Sequence, residues 1–419
     1  MASIILAINA GSSSVKVSAY KTDPNNPKEP EQLAEAEVTN VTSPPATLKY
    51  VRGDEKTQGR QLEGIKSQED AFHQVLDHLL NDNGLPELKG RDDIHYACHR
   101  IVHGGEYSHV HIINRETFRN LEEISDLAPL HNTVGLSIVR AVHEQLPKAT
   151  NMAYFDSAFH STIPKHISTY PIDPKIATHN KLRKYGFHGI SYAFITRAVA
   201  KHLGKAPETV NLIALHLGSG ASACAIKNGK SLDTSMGLTP LSGLPGGSRS
   251  GDIDPSLMFH YTHDAGKPSH KSTASMHITQ AEDILNSKSG FKALTGTSDF
   301  GKISESDDPM CKLTVDLFVD RVLNLIGSYY LKLGGQVDAL VFAGGIGEKG
   351  ALFRQKVVEQ AQCLGFAIDQ KKNNSPEDVT VTDIGPDSAK HRVLVCQTDE
   401  QREMARGCIE EAKEWHSKR

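Results

Sequence analysis

Paired cysteines are missing from this chain. Its six cysteines, at 98, 224, 311, 363, 396 and 408, lie far apart and form no C-x-x-C pair. That pattern excludes a disulfide framework and a zinc ribbon, and it reads as reduced thiols in a reducing compartment. Long apolar runs are missing too: no stretch approaches the ~20 apolar residues a membrane helix needs. The opening run Ile4–Ile8 is too short for a signal core and has no basic residues before it. The tail Ser417-Lys418-Arg419 departs from the peroxisomal S-K-L signal. The expected location is cytoplasmic. Charge of one sign is not concentrated anywhere: 46 basic residues face 50 acidic ones, for a net charge of −4. A nucleic-acid or membrane-surface partner is therefore not expected. Nor is there a Walker A loop, since no G-x-x-x-x-G-K-[ST] occurs.

What is present reads as α/β. Short β-rich runs alternate with helical patterns over 419 residues, enough for two or three domains of ~150 residues each. Ile4–Ile8 and Val15–Tyr20 read as strands joined by a Gly/Ser turn, and 22–32 reads as a hydrophilic surface excursion. Helices are expected over 71–80, 136–146, 191–203 (with Ser191 as N-cap), 313–333 (mostly buried) and 400–415. Val337–Ala343 reads as a buried strand running into a glycine turn, and 263–275 as a loop. There is also an internal echo. Ile5-Leu6-Ala7-Ile8-Asn9-Ala10-Gly11-Ser12 resembles Leu212-Ile213-Ala214-Leu215-His216-Leu217-Gly218-Ser219, in each case a strand, a Gly/Ser turn and a second strand. The echo suggests two related domains, although two unrelated hairpins would look the same.

Several stretches carry polar groups suited to chemistry. In Asn9–Lys16, the backbone N–H groups of the turn, the hydroxyls of Ser12 and Ser14 and the amine of Lys16 suit phosphate oxygens, and Asn9 could hold a metal's water. An ordinary hairpin turn is the alternative. Gly218-Ser219-Gly220 and Gly344-Gly345-Ile346-Gly347 are further glycine turns after apolar strands. Three such turns in one chain fit a bound nucleotide better than they fit turns alone. Arg100, between a strand and Gly104-Gly105, suits bidentate carboxylate or phosphate recognition or else a structural ion pair. Asp156 stands alone among apolar neighbours and needs a cation or hydrogen bonds. His188 sits between glycines 186 and 189, but most of the 21 histidines must be bystanders. The richest stretch, 231–255, holds so much Gly, Pro, Ser and Asp that no regular element is expected in it. Long irregular loops in compact domains are usually functional, and its Arg249 could face a phosphoryl group.

Taken together and in order, these motifs resemble the acetate kinase family. They include the Asn9–Lys16 turn, 99–105, 128–132, 155–160, 185–189, 216–222, 233–255, Gly344–Glu348 and 398–400. The resemblance implies an α/β fold of two ribonuclease-H-like (actin-like ATPase) domains with an interdomain active-site cleft. Residues 1–156 plus 400–419 would form the first domain and 157–399 the second, which would carry the base site. It implies a reversible transfer of the ATP γ-phosphoryl to acetate, in a homodimer, with Mg²⁺ (or Mn²⁺). By the same resemblance, Asn9 and Glu400 organise the metal, and Ser12, Ser14 and Lys16 lie near the phosphates. Arg100 and Arg249 clamp the carboxylate and the phosphoryl, Asp156 orients the site, and His188 and His131 stabilise the transition state. Val102, Leu130, Phe187 and Pro240 enclose the acetate methyl. His216, Gly218, Ser219, Gly220, Asp299, Gly344, Gly345, Ile346, Gly347 and Glu348 line the nucleotide. Three positions depart from the family: Ser219 and Lys349 replace Asn, and Gly301 replaces Arg. They leave open the base preference and the choice of ATP against pyrophosphate. A propionate or butyrate kinase and a non-catalytic ATP-switched binding protein are the rival readings.

Overall fold

The computed structural model describes residues 3–11, 13–22, 29–125, 129–272 and 277–417, without the side chains of 129–131 and 413–417. Ser12, the side chains of Leu130 and His131, and parts of the 22–32 and 263–275 segments lie outside the described residues. The chain divides into two compact units, Met1–Ala158 with Asp399–Arg419, and Phe159–Thr398.

The first unit is built on an eight-stranded sheet of order β5-β4-β3-β2-β1-β6-β8-β7. Its strands are β1 (Ile4–Ala10), β2 (Ser14–Lys21), β3 (Glu31–Thr39), β4 (Ala46–Arg52), β5 (Glu55–Leu62), β6 (Ile94–Ile101), β7 (His111–Ile112) and β8 (Thr150–Phe155). β1 runs antiparallel to β2 and parallel to β6. A strand covered on both faces needs apolar residues without alternation, and Ile4–Ile8 supplies them. The helices Gln68–Leu80 and Pro129–Gln145 cover one face through Phe72, Val75, Leu79, Ile138 and Val142. The helix Glu400–Ser417 packs on β1 and β6. The outer strand β5 is almost wholly polar and exposed, which suits a sheet edge.

The second unit has a six-stranded sheet, β11-β10-β9-β12-β14-β13. Its strands are β9 (Leu212–Leu217), β10 (Ala221–Lys227), β11 (Lys230–Thr234), β12 (Ala339–Ala343), β13 (Val381–Asp383) and β14 (Arg392–Cys396). The helix Pro309–Lys332 packs against one face with Val315, Phe318, Val322 and Ile326. The helix Gly189–His202 covers the other with Tyr192, Ile195 and Val199. The sequence echo is a topological repeat. β9 is antiparallel to β10 and parallel to β12, as β1 is to β2 and β6. β12 in turn is parallel to β14, as β6 is to β8. Asn9 and His216 hold equivalent places near the ends of β1 and β9.

Five expectations need correction. The surface excursion stops before β3, which takes in Gln32. Ser191 is not an N-cap: the helix starts at Gly189 after His188, whose φ of 58° is the left-handed conformation that ends one path and begins another. Regular structure enters the 231–255 stretch, because β11 runs to Thr234 through cross-strand pairing that local composition does not reveal. The glycine turn after β12 is the first turn of a short helix, Gly344–Lys349. The long helix buries one face only, leaving Leu313 and Leu331 exposed.

Two buried imidazoles set an acid limit on this fold. His99 lies 2.8 Å from Asn151 Oδ1, and His160 bridges Ser231 Oγ at 2.8 Å and the Phe187 carbonyl at 2.9 Å. Burial lowers the pKa of each to about 4. In the unfolded chain each imidazole would protonate near its ordinary value of ~6.5. Between these values the unfolded state binds more protons, so stability falls as pH falls, by roughly 2 kcal/mol per histidine at about pH 5. Denaturant midpoints measured from pH 7 to 4.5 should show this decline, and His160→Gln should flatten it. A midpoint independent of pH across that window would mean that neither imidazole is held neutral.

Candidate active site

In the first unit, three parallel strands deliver their C-terminal ends side by side. Asn9 is next to last in β1, Arg100 is next to last in β6, and Asp156 follows β8. Ligands in α/β sheets collect at such carboxyl ends. The Asp156 carboxylate is fully buried. Arg100 Nη2 donates to its Oδ2 at 2.7 Å, and Nε donates to Oδ1 at 3.1 Å. Arg100 Nη1 reaches Asn9 Oδ1 at 3.1 Å and lies 3.4 Å from Glu400 Oε2. Asn9 Nδ2 closes the ring by donating to Glu400 Oε2 at 3.0 Å. Burial alone would lower the Arg100 pKa, but Asp156 and Glu400 outweigh it and hold the guanidinium firmly charged. One guanidinium thus meets two carboxylates. Among the described residues no group of three His, Cys, Asp or Glu could hold a metal.

Lys16 stands opposite Asn9 in the β1–β2 register, so the two side chains share a face. Its amine is 3.0 Å from Glu35 Oε1. Ser14 opens β2, and its carbonyl accepts from Gly11 N at 2.8 Å. Val102 is half-buried just beyond β6. The loop after it is fixed by Asn132, which is fully buried. Asn132 accepts from His103 N at 2.9 Å and donates to His103 O at 2.8 Å. Ser157 Oγ accepts from Gly104 N at 3.0 Å. Sequence reasoning assigned no role to Asn132 or Ser157, although both lie in the quoted motifs.

In the second unit the functional side chains gather around Gly220. A methyl group added there would lie 3.2 Å from Arg249 Nη1 and 3.5 Å from His188 Nε2. The absent side chain therefore lets a guanidinium and an imidazole face one small space. His188 Nδ1 is 2.8 Å from Ser222 Oγ, which is 2.5 Å from Tyr192 Oη. That chain of hydroxyls fixes the imidazole orientation, and the His216 ring lies 4.4 Å away. Arg249 Nη1 donates to the Pro240 carbonyl at 3.4 Å, so Pro240 contributes its backbone to the site. Phe187 is buried, and its carbonyl holds His160.

The glycine turns of this unit meet. Gly344 has φ of +72°, and a methyl group on it would come within 2.7 Å of the Leu217 carbonyl, so only glycine lets the β9 and β12 ends close up. The Ser219 carbonyl accepts from Gly247 N at 2.9 Å, tying the Gly218–Gly220 turn to the Arg249 loop. Glu348 Oε1 accepts from Gly344 N at 3.1 Å and Thr398 N at 3.3 Å; it braces the Gly345–Gly347 turn from within. Asp299 caps the helix Phe300–Glu305, accepting from Gly301 N at 3.1 Å. Gly301 needs no left-handed backbone, and only Asp299 Oδ1, at 3.2 Å, crowds its Cβ position. A buried arginine escaped sequence reasoning. Arg354 donates to the carbonyls of Gly347, Glu348 and Asn373 at 2.7–2.8 Å, and burial lowers its pKa to about 10. An arginine on an amphipathic helix gives no sequence signal that it points inward.

Residues 4–406 match the model of the acetokinase family. The probable acetate kinase of Neurospora crassa is 53% identical over 99% of this chain and 95% of that protein. The probable acetate kinase of Emericella nidulans is 54% identical over 96% of this chain and 97% of that protein. The crystal structure of a propionate kinase from Francisella tularensis subsp. tularensis SCHU S4 superposes with a TM-score of 0.83 at 33% identity, covering 97% of this chain and 98% of that one. Matched over nearly its whole length and more than half identical to the first two of these relatives, the chain belongs to the acetokinase family.

Proposed function

We propose that this protein is an acetate kinase, moving the γ-phosphoryl of ATP onto the acetate carboxylate to give acetyl phosphate and ADP, reversibly and by direct in-line transfer. The observation that carries the reading is the commitment of Asp156. Both its oxygens accept from Arg100, so it is not placed to take a proton from a substrate hydroxyl. A carboxylate nucleophile is already ionised at neutral pH and requires no such base. What the reaction does require is alignment and positive charge around a loose, metaphosphate-like group. Arg249 supplies that charge, and His188 meets it at Gly220 as a hydrogen-bonding partner for the phosphoryl oxygens. Arg100 orients the acceptor carboxylate, with Val102, Leu130, Phe187 and Pro240 around its methyl group and His131 as a further donor. The turns at Gly218–Gly220 and Gly344–Glu348, with Asp299, receive the nucleotide, and Ser12, Ser14 and Lys16 its phosphates.

Mg²⁺, with Mn²⁺ as a substitute, fits the first unit's cluster. Asn9 and Glu400 offer hard oxygen donors side by side. Mg²⁺ commonly takes one or two carboxylates and completes its shell with water and phosphate, so a dense protein cage is not required. When bound with ATP it neutralises phosphate charge. A cytoplasmic homodimer agrees with the family resemblance and with six free thiols, five of them buried. Among the described residues no helix is long and apolar enough to cross a membrane.

Hydroxylamine trapping of acyl phosphate, with ATP and Mg²⁺ and with acetate, propionate or butyrate, tests the activity. Acetate should give the highest kcat/KM, and Arg249→Ala should lower kcat by about 10²–10³ while staying folded. Phosphate release that is indifferent to any acid, with no hydroxamate, would favour an ATP-switched binding protein. Full activity in Arg249→Ala would remove Arg249 from the site.

The departures at 219 and 301 generate a second prediction. Glycine at 301 gives no planar contact to a base, and Ser219 lacks an amide donor. One lost polar contact is worth ~1–1.5 kcal/mol, so GTP should work within about tenfold of ATP. Because Gly301 needs no left-handed backbone, Gly301→Arg should fold and raise the ATP/GTP ratio. Strong wild-type discrimination against GTP would contradict this, and pyrophosphate outperforming ATP would overturn the donor assignment.

A further inference from the structure

Arg249 lies on a loop with no regular structure, and such loops hold geometry poorly unless something else fixes them. Here the loop rests on the junction between two helices, Gln280–Ser287 and Gly290–Thr295. Five hydrogen bonds join them. Ser250 N donates to Leu285 O at 3.0 Å and Ser289 N to Ser248 O at 3.1 Å. Phe291 N and Lys292 N donate to the carbonyls of Gly246 and Gly247, each at 2.9 Å. Ser248 Oγ donates to Asn286 O at 2.8 Å. The contact is closest at Gly290, whose φ is +65°. A methyl group there would lie 2.2 Å from Gly246 O, 2.6 Å from Arg249 O and 2.8 Å from Arg249 N. Those are backbone atoms and cannot swing aside.

The junction is itself anchored. Asp283, on the first of the two helices, has a fully buried side chain, 2.7 Å from Lys271 Nζ and 2.6 Å from Lys288 Nζ. Burial would raise its pKa, but the two lysines outweigh it and bring the carboxyl to about 2. The carboxylate is thus a permanent charge that draws the chain before the helix (Lys271) and the residue after it (Lys288) onto one point.

The geometry points to Gly290 as a positioning residue for phosphoryl transfer: its missing side chain lets the helix junction, held by Asp283 between Lys271 and Lys288, set the backbone of Arg249. The inference rests on the reading of Arg249 as the phosphoryl clamp. Gly290 acts through the backbone of the loop that carries Arg249. To reach an ordinary contact of ~3.4 Å, an alanine at 290 must move the loop by about 1 Å, and misplacement on that scale costs up to ~10²-fold in rate.

The experiment is a kinetic cycle of wild type, Gly290→Ala, Arg249→Ala and the double variant, with Asp283→Asn in parallel. Acyl hydroxamate formation gives kcat and KM for acetate and ATP, and circular dichroism and Tm report folding. Gly290→Ala should lower kcat by about 10- to 100-fold while changing either KM less than about threefold. In the Arg249→Ala background the same substitution should change kcat less than twofold, because the group it misplaces is gone. A purely structural lesion would lower kcat equally in both backgrounds, and that result overturns the proposal. So does an unchanged kcat in Gly290→Ala. If Gly290→Ala does not fold, Asp283→Asn decides by the same comparison across the two backgrounds. Should Arg249→Ala alone retain full kcat, the clamp reading fails and this proposal fails with it. Loss in Arg249→Ala beside an unaffected Gly290→Ala leaves the clamp standing and removes only the role of Gly290.

Discussion

The ion pair between Arg100 and Asp156 is the constraint on which the first unit's site depends. A fully buried carboxylate is tolerable only with a charged, well-aligned partner, and Arg100 provides two parallel N–H donors to it. The pair then fixes everything near it. With Nε and Nη2 on Asp156, the remaining Nη1 is aimed at Asn9 and Glu400. These four residues come from the ends of β1, β6 and β8 and from the start of the C-terminal helix. One guanidinium therefore ties the last element of the chain to the first strand.

The second unit solves a related problem without a buried carboxylate at its centre. An arginine and a histidine, Arg249 and His188, are brought to one glycine, and neutral oxygens help to orient them: the Pro240 carbonyl for one and the Ser222 hydroxyl for the other. Orientation of a guanidinium by a carbonyl oxygen suits a site for an anionic group. Arg354 repeats the device away from the reacting groups, holding the Gly344–Lys349 helix through carbonyls alone. The repeat of strand order between the units explains how two sites of such different charge stand on the same strand ends. The order of the central strands is shared, while the side chains at Asn9 and His216 and their surroundings differ.

Much of this was legible in the sequence. The apolar runs of β1, β9 and β12 read as strands, and the echo at Gly11 and Gly218 suggested a hairpin shared by β1 and β9. Asp156 stood out as a charge among apolar neighbours, Arg100 as an arginine between a strand and a glycine pair, and Arg249 as the arginine of a long irregular stretch. What stayed hidden depended on long-range pairing. β3, β4 and β5 extend the sheet by successive pairing, β3 on β2, β4 on β3 and the polar β5 on β4. β11 lies in a composition that discourages strands, yet it joins the edge of β10. Asn132, Arg354 and Gly290 act through backbone groups far away in sequence, which no local pattern encodes. His188 gave no hint that it, and not Ser191, precedes its helix.

The central claim is that Asp156 serves as the charge partner of Arg100 and not as a proton acceptor from substrate. A double-mutant cycle of Asp156→Asn and Arg100→Gln, read in unfolding free energy together with kcat, tests it most directly. Removing either charge alone should cost roughly 3–5 kcal/mol of stability, and the double variant should cost clearly less than the sum, with a coupling of at least ~2 kcal/mol. Activity should be lost in all three variants. An Asp156→Asn protein as stable as wild type, additive with Arg100→Gln within ~0.5 kcal/mol and defective only in kcat, would contradict the account and make Asp156 a catalytic base.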